Sequence, residues 1–370
     1  MIINRVKERG AAPLIVVAFA SVLFTIITMG FIRIMISEQI RSSNDQLARV
    51  AYDAAMSGVE DAKRVLQLCD SGGAESSAAC AAISAKKCNT VQAALGIGTE
   101  KEVLLRTDSV SGIETSKQFD QAYTCVKIDR VTKSIVGKLL NEGSNVISLK
   151  SVAPFSKVRV SWTTKEDIDS ELLSFANMNG TKISIPTLSE WPSNRPAMLR
   201  SQLIQYSNTS GFNSASFDNT SNGEMNSSTI YLAPVETGAI DVNFNDFVEV
   251  SRRSGKQKVL PAKCSKSSGF SIYYCTNEFT LPNPIGGDES NREAFLRLTS
   301  HYNTAHYKIE LLDNLGNVVA FDGVQPIIDS TGRVSNIYRR VAASVQAESF
   351  ESELFPRATV DVTNDFSKYK

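Results

Sequence analysis

From Ala11 to Ile32 the chain carries no charged residue. This run follows a short stub, MIINRVKERG, in which Arg5, Lys7 and Arg9 outnumber Glu8. A helix rises ~1.5 Å per residue, so roughly 20 apolar residues cross a ~30 Å hydrocarbon core. Inside such a core every backbone amide needs a partner, and a helix supplies it unaided. The basic stub holds its end on the cytoplasmic side, which puts the rest of the chain outside. Pro13 falls in a first helical turn, where its missing N–H and fixed φ cost little. A cleavable signal peptide is the rival reading, because Ala18-Phe19-Ala20 before Ser21 has the small-x-small form of a cleavage site. Cleavage there strands SVLFTIITMGFI on a secreted product with no core to hide it, so an anchor is the stronger reading.

The helical pattern outlasts the apolar run. Ile36, Ile40, Leu47, Ala51, Ala55, Val59, Ala62 and Leu66 recur at spacings of three, four or seven, the stripe of an amphipathic helix. Asp45 precedes Arg49, and Glu60 precedes Arg64, by four residues, the favourable order for helix ion pairs. Small residues (Ala48, Ala51, Ala54, Ala55, Ser57, Gly58) gather in the middle, as close helix packing requires. One helix is therefore expected over 11–68, with its membrane span at about 11–32. The stripe serves either to pack the helix on its own domain or to pack it against neighbouring subunits as well.

Arg9-Gly10-Ala11, the apolar run and the segment ARVAYDAAMSGVEDAKRVLQ together resemble the N-terminus of the type IV pilin and pseudopilin superfamily. The likeness is to large minor pilins of the PilX type and to the K-type minor pseudopilin of type II secretion. The motif covers some 20 residues and the wider helix likeness reaches about residue 68. The resemblance implies that a prepilin peptidase cuts between Gly10 and Ala11 and that the new amine is methylated. It implies partners: other pilin or pseudopilin subunits through the N-terminal helix, the inner-membrane assembly machinery, and a host or surface ligand. Most pilins carry a glutamate five residues into the mature chain, where this sequence has Ile15. K-type pseudopilins also lack it and stand at the fibre tip, so Ile15 implies a tip or initiating subunit. The implied location is the bacterial cytoplasmic membrane, as a single-pass protein with its N-terminus inside, and then the cell surface or pilus.

After the helix roughly 300 residues remain, enough for one large domain or two smaller ones with genuine cores. The formal charge is zero, so bulk charge indicates no nucleic-acid partner. Six cysteines (Cys69, Cys80, Cys88, Cys125, Cys264, Cys275) form no CxxC pair, and only two histidines exist, so zinc-ligand spacing is missing. An even count outside a membrane reads as disulfides. Cys264 with Cys275 closes a short loop, while three pairings stay open among the first four. Residues 69–150 mix helical patches (SSAACAAISAKKC, VQAAL) with strand-like stretches (EVLLR, YTCVKI). From 151 to 370 the pattern is β-rich: KVRVSW, MLRSQLIQY, STIYLA, GFSIYYC, AFLRLTSHY, YKIELL and SNIYRRVAASV alternate or are β-branched and aromatic. LLDNLGNVVAF reads as a hairpin turned by Asp313, Asn314 and Gly316, and the tract 207–229 as a Ser/Asn-rich loop. The fold class expected is α+β: the long N-terminal helix, then a mostly antiparallel β-rich extracellular domain with disulfides.

Catalytic patterns are missing. There is no G-x-S-x-G, P-loop or H-E-x-x-H, and Gly96-Ile97-Gly98 is too short to cradle a phosphate. His301 and His306 read as half-buried or surface histidines on two strands and a turn. Asp241, Asn243, Asn245 and Asp246 carry calcium-type oxygens, but DVNFNDFVEV alternates like a strand. No catalytic residue, metal site or cofactor is therefore assigned, with calcium the one ion considered. WPSNRP (191–196) and GRVSNIYRRVAASV (332–345) read as a loop entering a strand and as an edge strand with exposed arginines, and both also resemble stretches of large minor-pilin-like surface proteins. Three functions stand: a minor pilin or pseudopilin; a membrane-anchored adhesin that is not assembled into a fibre; and a tethered hydrolase, for which no nucleophile–base pair can be named.

Overall fold

The computed structural model describes residues 11–71, 76–88, 90–96, 102–105, 121–168, 173–175, 178–179, 182–183, 188–207, 227–235, 241–243, 259–265, 272–286 and 292–345. Three helices come first, α1 (Ala11–Asp70), α2 (Ser76–Ala85) and α3 (Thr90–Leu95). The strands begin with β1 (Val103–Leu104), β2 (Gln121–Thr132), β3 (Ile135–Leu139), β4 (Ser144–Ser148), β5 (Phe155–Thr164), β6 (Met178–Asn179) and β7 (Lys182–Ile183). Next come β8 (Met198–Ser207), β9 (Ser227–Val235), β10 (Asp241–Asn243), β11 (Val259–Cys264) and β12 (Tyr273–Ile285). The last are β13 (Arg292–His301), β14 (Ala305–Leu312), β15 (Val318–Val319), β16 (Phe321–Val334) and β17 (Ile337–Ser344).

The chain divides into two compact units, and not near residue 150. One comprises Met1–Lys127 with Ile328–Ala343, the other Ile128–Ile327 with Ser344–Lys370. The division falls inside β2 and inside β16. Composition along a chain changes smoothly through such strands, so a reading by composition places the step elsewhere. Residues 128–150 belong with the β-rich unit, and residues 328–343 return to the helical one.

In the first unit α1 accompanies the antiparallel pair β1–β2 and the unit's share of the sheet β1-β2-β16-β17. The end of β16 shows a period of two. Ile328, Ser330, Gly332 and Val334 are buried, while Asp329 and Arg333 point the other way, to Arg340 and Glu102 respectively. Disulfides Cys69–Cys80 and Cys88–Cys125 join α1 to α2 and the connection between α2 and α3 to β2.

The second unit is built on a curled sheet, mostly antiparallel, in the order β15-β14-β5-β12-β11-β9-β8-β13-β4, with β3 on the same edge of β14 as β15, β10 paired to β12, and β6–β7 a separate pair. Topology forces the curl. In a flat sheet β3 and β4 lie eight strand spacings apart, about 38 Å. The turn Leu140–Gly143 joins them, and five residue steps reach at most about 18 Å. The sheet must therefore fold over until its ends approach. They meet through Asn145 of β4, which donates to the Tyr307 hydroxyl of β14 at 2.6 Å.

The inner face is apolar by strand alternation. In β5, Val158, Val160 and Trp162 point inward, while Arg159 lies outward between Glu278 and Glu310, its partners in register on β12 and β14. Trp162 is wholly buried and its indole N–H donates to the Ala197 carbonyl at 2.9 Å. The expected hairpin is β14–β15, with Gly316 at φ +85° and Asp313 accepting from the Leu315 and Asn317 amides at 2.8 Å each. Cys264 is bonded to Cys275, opposite it in register on β11 and β12. The ends of the tract 207–229 belong to β8 and β9, and its middle lies outside the described residues. Replacing Trp162 by Phe leaves a buried carbonyl unpaired and a small void, an expected loss of about 2 kcal/mol. Circular-dichroism denaturant titration of the full chain in detergent checks it through a lowered midpoint at unchanged m-value.

Candidate functional site: a helix half bare and half seated

α1 is a single helix of 60 residues, about 90 Å long at the standard rise. Its two halves meet different surroundings. From Ile15 to Ile40 the large apolar side chains are bare, Phe19 and Met35 at 74% exposure each. Within the uncharged run the hydroxyls bond back along the helix. Ser21 donates to the Ala18 carbonyl at 2.8 Å, Thr25 to Ser21 at 2.7 Å, and Thr28 to Phe24 at 3.0 Å. Such back-bonding frees these three hydroxyls from any need of water, the condition for lying in hydrocarbon. This half is long and apolar enough to cross a membrane.

The other half is seated. Ala51, Ala54, Ala55, Val59, Ala62, Val65 and Leu66 are buried, and Leu47 is half-buried. The stripe read from the sequence thus has two fates: Ile36 and Ile40 remain exposed, and contact with the helix's own unit begins near Leu47. Ile15 is also exposed, Ala11 is the first residue of the helix described, and Gly10 lies outside the described residues.

The seat depends on side chains that are absent or small. A Cβ on Gly332 would fall inside the contact radii of the Ala51 carbonyl oxygen and the Ala55 nitrogen, with the Ala54 carbonyl carbon at 3.0 Å. These are backbone atoms of α1, so they cannot swing aside. A Cβ on Gly58 would meet the Ser330 hydroxyl, Val126 at 2.9 Å and Tyr123 at 3.1 Å, all side chains. One polar bond crosses the same interface: the wholly buried Tyr123 donates its hydroxyl to Asp61 at 2.6 Å. Burial first, and the Asp61 carboxylate second, push the Tyr123 phenol well above its ordinary range. Sequence reading missed both Gly332 and Asp61. Gly332 has no local signal, and Asp61 looks like one more surface charge. The helix ion pairs also differ from expectation. Glu60 takes Lys63 at 2.7 Å and Asp61 takes Arg64 at 3.5 Å, both one residue closer than the Glu60–Arg64 spacing suggested.

Among the described residues the two histidines stand apart. His301 Nδ1 lies 2.8 Å from Glu142, whereas His306 Nδ1 lies 2.6 Å from Asp167, so each histidine has its own carboxylate and the two are not brought together. Asp167 also accepts from the His306 and Thr164 amides at 2.9 and 2.8 Å. Asp241 and Asn243 sit on β10, paired parallel with β12; Asn245 and Asp246 lie outside the described residues. Among the described residues no three His, Cys, Asp or Glu side chains group to hold a metal ion. WPSNRP enters β8, and GRVSNIYRRVAASV spans the β16–β17 hairpin and ends on the sheet's edge strand.

No protein-family model, no curated protein and no solved structure matches this chain.

Gly332→Ala is expected to destabilise the full chain by more than the ~1–3 kcal/mol usual for overpacking, and Gly58→Ala by less than Gly332→Ala. Thermal unfolding in detergent ranks them. Equal melting points for Gly332→Ala and the parent would contradict the seat. Tyr123 supplies a second check. Its folded pKa is raised, so its contribution is complete below the unfolded value of about 10 and fades as pH climbs from there towards the folded pKa. Tyr123→Phe should cost about 1–2 kcal/mol at neutral pH and flatten the fall in stability above that point. Denaturant midpoints across alkaline pH measure both effects.

Proposed function

We propose that the chain is a minor pilin or pseudopilin, a non-enzymatic structural and assembly subunit of a type IV pilus-like surface fibre. The observation that carries this reading is α1 itself: one uninterrupted helix, bare and apolar in its first half, seated through small residues on a β-sheet in its second. Such a helix serves twice. It anchors the protein in the cytoplasmic membrane, N-terminus inside, and later offers the same apolar surface to neighbouring subunits. Gly10–Ala11 is the bond for the prepilin peptidase, and Ile15 in place of a carboxylate favours a tip or initiating position. The partners are other pilin or pseudopilin subunits, the inner-membrane assembly machinery and a host or surface ligand, with the protein ending at the cell surface.

A membrane-anchored binding protein outside any fibre is the second reading, favoured by the compact β unit of Ile128–Ile327 with its own core. The two differ at the N-terminus. Mass spectrometry of protein from its native membrane is expected to find a chain starting at Ala11 with one added methyl group. A start at Met1 with the leader intact would favour the anchored binding protein. A start at Ser21 would overturn both.

A further inference from the structure

The loop 191–196 and the turn after β13 hold a charge with no counter-ion. Trp191 stacks on Tyr302, ring centroids 4.2 Å apart and planes 5° from parallel, and the Arg195 guanidinium carbon lies 4.9 Å from the Trp191 centroid. A ring has two faces; Tyr302 takes one and the cation covers the other. Arg195 is partly buried, and no carboxylate pairs with it among the described residues. Its Nε–H is buried with no acceptor, as is the Trp191 indole N–H. Its terminal nitrogens make no hydrogen bond among the described residues, and the side chain stays partly exposed. Burial lowers the Arg195 pKa with nothing to offset it.

The arrangement is fixed in advance. Asn303 donates from its amide to the Arg195 and Pro192 carbonyls at 2.8 and 3.4 Å, and the Arg195 N–H closes the loop onto the Pro192 carbonyl at 3.1 Å. Tyr302 is held at φ +74°, a conformation bulky residues rarely adopt, with its N–H donating to Glu142 at 3.3 Å. The nearby Glu142 is otherwise engaged, by His301 and the Tyr302 amide.

We propose that Arg195, seated on Trp191, is the receptor for a single carboxylate of a ligand from outside the chain. The planar fork of a guanidinium matches the two oxygens of a carboxylate, and a fixed cation spends little ordering entropy on binding it. With one arginine on hand and Glu142 close by, the site suits a monoanion and not a phosphate dianion. The carboxylate belongs either to a simple organic acid or to an acidic sugar, and the fork meets the same two oxygens in both.

Trp191 stands in the site; the second tryptophan, Trp162, is wholly buried and bonded to the Ala197 carbonyl close by, so each titration is repeated in Trp162→Phe, where Trp191 is the sole tryptophan. The test is tryptophan fluorescence of the full chain in detergent at fixed ionic strength, titrated with sodium acetate, sodium glucuronate, sodium phosphate and sodium chloride. Both carboxylates are expected to give saturating curves. Glucuronate at least tenfold tighter than acetate assigns the sugar acid, and equal affinities assign the simple acid. Arg195→Gln should weaken binding at least tenfold. Arg195→Lys, which keeps the charge and loses the fork, should weaken it at least threefold and covers the case in which the glutamine variant fails to fold. The proposal is overturned if chloride or phosphate reproduces the carboxylate curve, or if the lysine variant binds as tightly as the parent.

Discussion

A helix has no joint. Whatever surrounds the first thirty residues of α1 and whatever seats the rest are served by one rod, and that continuity is the constraint on which the helical unit depends. In the bare half the hydroxyls of Ser21, Thr25 and Thr28 bond back along the helix. The seated half buries Ala51, Ala54, Ala55 and Ala62 together with Val59, Val65 and Leu66. Along the alanine stretch the gain comes from close backbone approach, because alanines bury little apolar area each. Gly332 against the Ala51 and Ala55 backbone is the clearest instance. The disulfides then act at the far end: Cys69–Cys80 turns the chain back where the helix stops.

Much of this was legible. The uncharged stretch from Ala11, the spacing of Ala51, Ala55, Val59 and Ala62, and the alternation of KVRVSW each express a local periodicity that a sequence shows directly. What could not be read depends on residues far apart in the chain. Gly332 meets Ala51 across 281 positions, and nothing near either one marks the encounter. Asp61 reads as one of several helix charges until Tyr123 is found above it. The unit boundary was hidden for the same reason, since β2 and β16 cross it without any break in their strand pattern.

The curled sheet shows how connection can dictate shape. β13 and β14 are joined by three residues, Tyr302–Thr304, yet six strand spacings separate them in the sheet order. Short turns between distant strands permit only a folded-over sheet, and they collect at one end of it. There the turn Leu140–Gly143 meets the turn after β13: Ser300 donates to the Gly143 carbonyl at 3.0 Å, and Glu142 receives His301 and Tyr302. Glu142 and Tyr302 both hold left-handed backbone, φ +58° and +74°. Neither is glycine, so the conformation is imposed by the closure.

That imposed geometry explains why the polar groups at this end are so unevenly matched. A turn free to relax would swing its side chains until donors met acceptors. Tyr302 cannot, because its backbone is fixed by Glu142 on one side and its ring by Trp191 on the other. Asn303 holds the Trp191 loop by two carbonyls, so the loop cannot move away either. Arg195 is thereby left over an indole face with its charge uncompensated and one N–H unmet. In a loop without constraint this would cost more than it returns, since a partly buried cation normally draws an acid. Here the closure of the sheet bears that cost, and a cation held on the indole without an acid is its consequence.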